Sequence, residues 1–417
     1  MKNVADIKKE KNLNYILPKG SVLQETIIER GQAVVIVHLH YRETVEAYLK
    51  YVDCIPIEVD IIFTFSDEIV NKEILEYVRK HQGRHCEMIK KNNRGRDVSA
   101  LLVACREKIM KYQFVCFVHD KKEKNEQDKK FTQGWVRCLW ENSLGSREYI
   151  YNILGLFQQI SSLGLVVPPS PLGIDYQEAI NMDLWFDNFE NTTKLAQELE
   201  LQCDLNPRKP PITLGTVFWA RSVALKKLFE KEWCYEDFVE EPLPADGTVS
   251  HAIERIFAYV AQDAGYDTGQ VMTENYASER IQYLQDIVME AFNRLNISMG
   301  ISSKEELKNY EQEKNILEEF AVQYEKIYIY GAGRYGKKCF FRLKDSNIFP
   351  DAILVSDIQQ NPEKIFNTKI LSIDQVRLDQ TCGVIVAVAP KSWVEIKGTI
   401  KEHFPYFDNL MFMELMN

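Results

Sequence analysis

Over the first 120 residues, short unbroken apolar runs alternate with longer amphipathic ones. AVVIVHLHY (33–41) is a continuous β-branched run, the composition expected of a strand buried on both faces. TVEAYLKYVDCI follows with helical spacing, and IEVDIIFTFS (57–66) reads as a second strand. EIVNKEILEYVRKHQG (68–83) is amphipathic and ends on a glycine, a usual helix stop. CEMIKKN is a short third strand, DVSALLVACREKIMKY (97–112) has apolar positions at helical spacing, and FVCFVH (114–119) is a fourth strand. Strands alternating with helices predict βαβ units and a mostly parallel sheet.

The middle is less regular. GLVVPPSPLGI (164–174) predicts a strand ending in a proline-rich loop, and 175–211 is polar and mixed. ITLGTVFWARSVALKKLF (212–229) predicts a strand and then a helix. PLPADGTVSHAIERIFAYVAQDAGY (242–266) predicts a loop and a helix from Thr248 to near Gly265. Residues 296–325 are charge-rich and predict a helical linker or brace. A second α/β unit begins at KIYIYGAGRYGKKCFFRL (326–343) and runs through AILVSD (352–357) and GVIVAVAP (383–390). The expected organisation is an N-terminal extension (1–30), an α/β domain (31–295), a helical linker (296–325) and a small Rossmann-like domain (326–417).

Composition narrows the function classes. A chain of 417 residues with 45% hydrophobic and 27% charged residues has ordinary globular composition and length for two or three domains. The net charge of -10 argues against a nucleic-acid binder, which needs a basic surface to displace counterions, so any basic site is local. The nine cysteines form no CxxC pair and several sit in apolar runs, the pattern of thiols in a reducing compartment. The polar N-terminus lacks the apolar core of a signal peptide. No stretch approaches the roughly 18 apolar residues of a membrane span. The expectation is a cytoplasmic protein, either free or held by partners at the inner face of the cell membrane.

Three segments carry candidate chemistry. Gly331-x-Gly333-x-x-Gly336 follows the strand KIYIY and opens a helix, and Asp357 closes the next strand 24 residues after Gly333. That spacing lets backbone N–H groups approach an anion at a helix N-terminus, serving either a bound dinucleotide or the fold alone. In NNRGRDVSAL, Arg94 and Arg96 flank Gly95 at a strand's carboxyl end, where open α/β sheets bind ligands. Their forked donors match phosphate oxygens, and Asp97 stands where it can cap the next helix. The alternative is a surface turn with solvated arginines. FVCFVHDKK then ends in His119, Asp120, Lys121 and Lys122. Nucleotide-sugar transferases with a Rossmann-like first half carry an Asp-x-Asp there that holds a divalent cation against the diphosphate. Here Lys121 or Lys122 can replace the metal, or His119 and Asp120 with His251 can bind Mn²⁺ or Mg²⁺. Lys124, Lys129 and Lys130 read as a solvated charge run. In the third segment His251, Glu254 and Arg255 share a helix face behind Asp246, whose carboxylate can take a hydroxyl proton or simply cap the helix.

Together VHLHY (37–41), NRGRDVSALL (93–102), FVHDKK (117–122), Trp135-x(4)-Trp140, LGTVFWAR (214–221) and DGTVSHAIERIF (246–257) resemble the rhamnan synthesis protein F family. The resemblance covers roughly residues 30–290 in consistent order. The family's His-Thr-Lys-like triplet reads His119-Asp120-Lys121 here. The resemblance implies a GT-A-like, mostly parallel Rossmann-type sheet flanked by helices. It also implies rhamnose transfer from a dTDP-activated donor to a growing or lipid-linked glycan. On that basis His38, His40 and Thr64–Ser66 face the nucleotide, while Arg94, Arg96 and Lys121 meet the diphosphate beside His119, Asp120 and Lys122. Trp219 and Arg221 line the acceptor side, since aromatic faces pack on sugar C–H surfaces. Asp246, then Glu254, is the candidate base of an inverting displacement.

Residues 326–417 lie outside the resemblance and are similar to small nucleotide- or sugar-nucleotide-binding modules appended to polysaccharide enzymes, for binding or dimer contacts. Two rival readings are an NAD(P)-dependent oxidoreductase using Gly331, Gly333, Gly336 and Asp357, and a non-catalytic scaffold of a polysaccharide assembly complex. No Tyr-x-x-x-Lys relay follows the glycines, which counts against the oxidoreductase.

Overall fold

A computed structural model describes residues 14–122, 129–169, 185–203, 205–207, 213, 215–244, 246–294, 304–359 and 361–413. Lys124 and part of the proline-rich loop after Val167 lie outside the described residues, as do the side chains of Lys129 and Lys130. The chain forms two compact units, Met1–Tyr283 and Leu284–Asn417.

Unit 1 runs β1 (Asn14–Leu17), β2 (Ala33–His38), α1 (Val45–Val52), β3 (Asp60–Phe65), α2 (Glu68–Lys80), β4 (Cys86–Lys90) and α3 (Arg96–Ser99). A π-helical turn (Ala100–Ala104), α4 (Arg106–Ile109), β5 (Phe114–His119), α5 (Lys129–Leu144), α6 (Arg147–Gln159) and β6 (Leu163–Val167) follow. The unit continues with α7 (Phe189–Glu198), β7 (Phe218–Arg221), α8 (Lys226–Glu230), α9 (Val249–Asp263), β8 (Asp267–Thr273) and α10 (Glu274–Arg294), which crosses the boundary. Its eight strands form one sheet in the order β1-β8-β6-β7-β5-β2-β3-β4.

The β-branched run at the centre behaves as its composition requires. Every residue of β2 is buried. Val35 and Val37 pack into the core on one face of the sheet, and Val34 and Ile36 into the core on the other. The mostly parallel sheet holds, with one exception: β7 runs antiparallel to both β5 and β6.

Two local expectations change. The helix predicted over 97–112 is broken into α3, a π turn and α4. The extra residue of the π turn brings Ala100, Leu101 and Leu102 all inward. Residues 14–17 are not an appendage, because β1 pairs in parallel with Gln270–Thr273 of β8. The Asn152 side chain fastens the segment after it, donating to the Pro18 and Ser21 carbonyls at 3.0 and 2.8 Å and accepting from Leu23 N–H at 2.8 Å.

Unit 2 contains α11 (Lys304–Ala321), β9 (Lys326–Tyr330), α12 (Arg334–Asp345), β10 (Ala352–Val355), β11 (Lys364–Ile365), β12 (Thr368–Ser372), β13 (Cys382–Val386), α13 (Trp393–His403) and β14 (Leu410–Phe412). The sheet order is β11-β12-β10-β9-β13-β14, parallel except at β11. Helix α11, expected as linker, belongs to this unit: Leu317 and Ala321 share a core with Ile327, Cys339 and Leu343. Its Glu313 forms a buried ion pair with Arg342, whose guanidinium lies 4.8 Å above the Tyr310 ring. At Gly336 any Cβ would lie 1.7 Å from the Gly331 carbonyl oxygen, which is backbone and cannot yield. Gly336→Ala is therefore expected to destabilise unit 2 by roughly 3 kcal/mol or more. Calorimetry should show a lowered transition for that unit, and an unchanged melting profile would contradict the packing.

Candidate functional site

Parallel register brings the carboxyl ends of β2, β3 and β5 level, with His38 opposite both Thr64 and His119. His38 is buried, with Nδ1 3.0 Å from the Thr64 hydroxyl. Burial, with the Lys91 ammonium adding to it, pushes its pKa down to about 3, so the ring is neutral at pH 7. His40 lies just beyond the strand with Nδ1 2.8 Å from the Ser66 hydroxyl, and burial and Lys91 lower its pKa too.

Asp120 is also buried. Its Oδ2 accepts the backbone N–H of His40 at 2.8 Å and of Tyr41 at 2.7 Å, while its own N–H donates to His38 O at 3.0 Å. Burial raises its pKa to about 6 despite those two donors. His119 places Nδ1 2.9 Å from Asp120 O and Nε2 2.7 Å from Gly215 O, and Asp97 Oδ2 is 3.7 Å from that same Nε2. Asp97 does not cap the helix as expected, since Gly95 holds the cap position. Burial alone would raise the Asp97 pKa, but His119, His38, its own N–H and the Thr216 hydroxyl together hold it low.

The residues expected to hold Mn²⁺ or Mg²⁺ do not form a ligand set. Both His119 nitrogens face carbonyls and Asp120 Oδ2 faces backbone donors. His251 Nδ1 accepts from Thr248 N–H at 3.3 Å, with the Thr248 hydroxyl 2.8 Å away. Among the described residues no group of three or more His, Cys, Asp or Glu side chains is arranged around a metal position.

The two arginines diverge. Gly95 takes φ 75°, and a Cβ there would lie 2.6 Å from the Phe238 ring, so the loop folds tightly against 236–241. Arg94 is absorbed by that contact: Nε donates to Phe238 O at 2.6 Å, one terminal nitrogen to Glu236 O at 3.1 Å, and the other pairs with Glu240 at 3.1 Å. These three contacts tie the guanidinium to the 236–240 segment. Arg96 remains half exposed and grips Glu241 through two nitrogens, at 2.8 and 3.2 Å. Lys121 Nζ lies 3.0 Å from the centroid of the Trp135 ring, and Lys122 pairs with Glu43. Lys91, which the sequence pattern did not single out, is buried at the end of β4. Its place at a carboxyl strand end was the available signal.

On α9, Glu254 accepts from Gly215 N–H and contacts Arg255. Asp246 accepts from Asn188 Nδ2 at 2.6 Å and Asp187 N–H at 3.0 Å. Burial would raise its pKa, but these bonds and Arg255 lower it overall. His251 Nδ1 is 4.0 Å from Asp246. Two expected acceptor residues lie elsewhere. Trp219 pairs with Cys116 in mid-sheet and is buried, its indole N–H donating to Ser143 O at 3.0 Å. Arg221 pairs with Phe114 at the opposite, amino edge of β5, and its guanidinium binds the Leu163 (2.8 Å), Phe157 and Ile160 (3.3 Å) carbonyls. Both belong to the packing of the sheet. In unit 2, Gly333 is the residue before α12, and the Asp357 carboxylate accepts Gln359 N–H at 2.8 Å.

Residues 1–266 match the family described as Rhamnan synthesis protein F. The chain belongs to that family. Relatives include the uncharacterized protein WxcX of two strains of Xanthomonas campestris pv. campestris, each 26% identical over 237 residues, which is 56% of this chain and 32% of the relative. The chain thus spans about a third of the length of those relatives. The rhamnan synthesis protein F match takes in all the strand ends described above and stops before unit 2. The family's description names rhamnan synthesis. Among the described residues no helix is long and apolar enough to cross a membrane.

The buried imidazole makes a pH prediction. Unfolded His38 binds a proton below about pH 6.5, and the folded ring resists it down to about pH 3. In that window the unfolded state holds more protons, so the His38 contribution is lost as pH falls. Asp120, raised to about 6, acts oppositely between about pH 4 and 6. In urea titrations His38→Gln is expected to lose about 2 kcal/mol less than the unaltered protein between about pH 6.5 and 5. Equal losses in the two proteins would contradict a neutral, buried His38.

Proposed function

We propose that unit 1 transfers a sugar, rhamnose from dTDP-rhamnose, onto a glycan acceptor during polysaccharide synthesis. The observation that carries this is the convergence of His38, His40, Arg96, Asp97, His119 and Asp120 at the level carboxyl ends of parallel strands. Ligands of open α/β sheets are bound at that edge. The family match supplies the polysaccharide context.

In this reading the nucleotide lies over His38, His40 and Ser66. Arg96 exchanges its half-exposed pairing with Glu241 for the donor diphosphate, an exchange between two bidentate oxyanions. Lys121, held over Trp135, adds a second positive charge. His251 accepts at Nδ1, so its proton resides on Nε2 and can hydrogen-bond the leaving oxygen. Asp246 is ionised at neutral pH, as a base must be, although its lowered pKa limits its pull on a hydroxyl proton. Glu254 is the second carboxylate for that task. Unit 2 serves as an accessory nucleotide-binding-type module.

The test is incubation of the full chain with labelled dTDP-rhamnose, UDP-glucose and related donors, alongside thermal-shift measurements with the free nucleotides. Donor turnover is expected. Asp246→Asn should slow it by roughly a hundredfold while leaving dTDP affinity unchanged, and Arg96→Ala should weaken dTDP binding by roughly tenfold. Absence of transfer, hydrolysis and thermal shift with every donor and nucleotide would refute the reading.

A further inference from the structure

Lys91 is the best-buried cation at the carboxyl edge, with 5% of its surface exposed. Its backbone N–H donates to Phe65 O at 2.8 Å and extends the β3–β4 ladder by one residue, so its position is set by the sheet. The ammonium carries three N–H donors. One of them reaches the Arg96 carbonyl oxygen, 2.9 Å away. Among the described residues it has no ion pair. Its basic neighbours differ: Arg94, Arg96 and Lys122 are paired with Glu240, Glu241 and Glu43.

A buried charge without a counter-charge is costly, and proteins retain one where a ligand supplies the missing anion. The groups facing Lys91 are the Asp97 and Glu241 carboxylates and the His38 and His40 rings. The rings are neutral at pH 7, and the carboxylates are already engaged with His119 and Arg96. Burial lowers the Lys91 pKa to about 8 against the opposing pull of Asp97 and Glu241, leaving the ammonium mostly charged at pH 7 but with no ion pair of its own.

We propose that Lys91 is the fixed cation that binds the donor diphosphate and takes up the charge it gains on leaving, an inference that rests on the glycosyl-transfer reading. In that step the anomeric C–O bond breaks and its electron pair remains on the diphosphate oxygen, which gains one negative charge. The acceptor hydroxyl oxygen forms the new C–O bond and gives its proton to a carboxylate of the site. A preorganised ammonium aimed at the oxygen where charge develops stabilises that departure without reorganising solvent.

Binding of dTDP and of inorganic pyrophosphate to the full chain in EDTA, measured by calorimetry, tests the assignment. The unaltered protein is expected to bind dTDP, and Lys91→Met to bind it roughly tenfold or more weakly. Lys91→Met should melt at the same temperature or higher, because an unpaired buried charge has been removed. A purely structural lysine would instead lower the melting temperature. If Lys91→Met does not fold, a pH series decides: dTDP binding by the unaltered protein should weaken roughly tenfold between about pH 7.5 and 9, and that by Lys91→Arg should not. Equal dTDP affinity in Lys91→Met, or a flat pH series in the unaltered protein, would overturn the role of Lys91 and leave the glycosyl-transfer reading standing. Failure of the unaltered protein to bind either dTDP or pyrophosphate would overturn the donor site itself, and Lys91 with it.

Discussion

The Asp120 carboxylate is almost out of water, yet it holds two backbone N–H groups of the chain leaving the neighbouring strand, His40 at 2.8 Å and Tyr41 at 2.7 Å. Those bonds fix where β2 releases the chain and how it turns toward α1. Much of the candidate site follows from that turn. His40 is set against Ser66, and the Tyr48 hydroxyl, on the helix after the turn, meets both the N–H and the carbonyl of Lys121 at 3.0 Å. The carboxylate's raised pKa measures what this tie costs in desolvation. A metal at Oδ2 would compete with those two donors. An acid that reads as a ligand in sequence is thus consumed in shaping the loop.

Around this anchor the charges at the strand ends set one another's states. Burial and Lys91 keep His38 neutral, His119, its own N–H and the Thr216 hydroxyl help keep Asp97 ionised, and Glu241 holds Arg96. Such a cluster in low dielectric is strongly interdependent, because every unpaired charge is expensive there. Arg96 is held at its half-exposed side chain by Glu241, whereas Arg94 is locked to the 236–240 segment by three bonds.

Unit 2 solves a different problem with the same means. Its turn between β9 and α12 closes so tightly that only glycine fits at 336. The helix ahead of it contributes core residues and a buried Glu313–Arg342 pair. A charge-rich sequence there reads as linker, but its apolar stripe at Leu317 and Ala321 is committed to the core.

The chain's local pattern determined the alternating strands and helices from 33 to 119, the burial of β2 on both faces, and the glycine turn at 331–336. These rest on periodicity and sterics that neighbouring residues carry by themselves. It also marked the polar residues at the strand ends, because a parallel βαβ unit sends every strand's carboxyl end to the same edge. Direction and partner were decided only in three dimensions. The sequence does not say that β7 runs backwards, and that reversal sends Arg221 to the far edge and Trp219 into the core. Nor does it say which loop residues find partners far along the chain: Arg94 meets 236–240 and His119 meets Gly215. The burial of Lys91 was likewise invisible: its place at a strand end could be read, but what sets it apart from the paired cations exists only once β3 and β4 have come together.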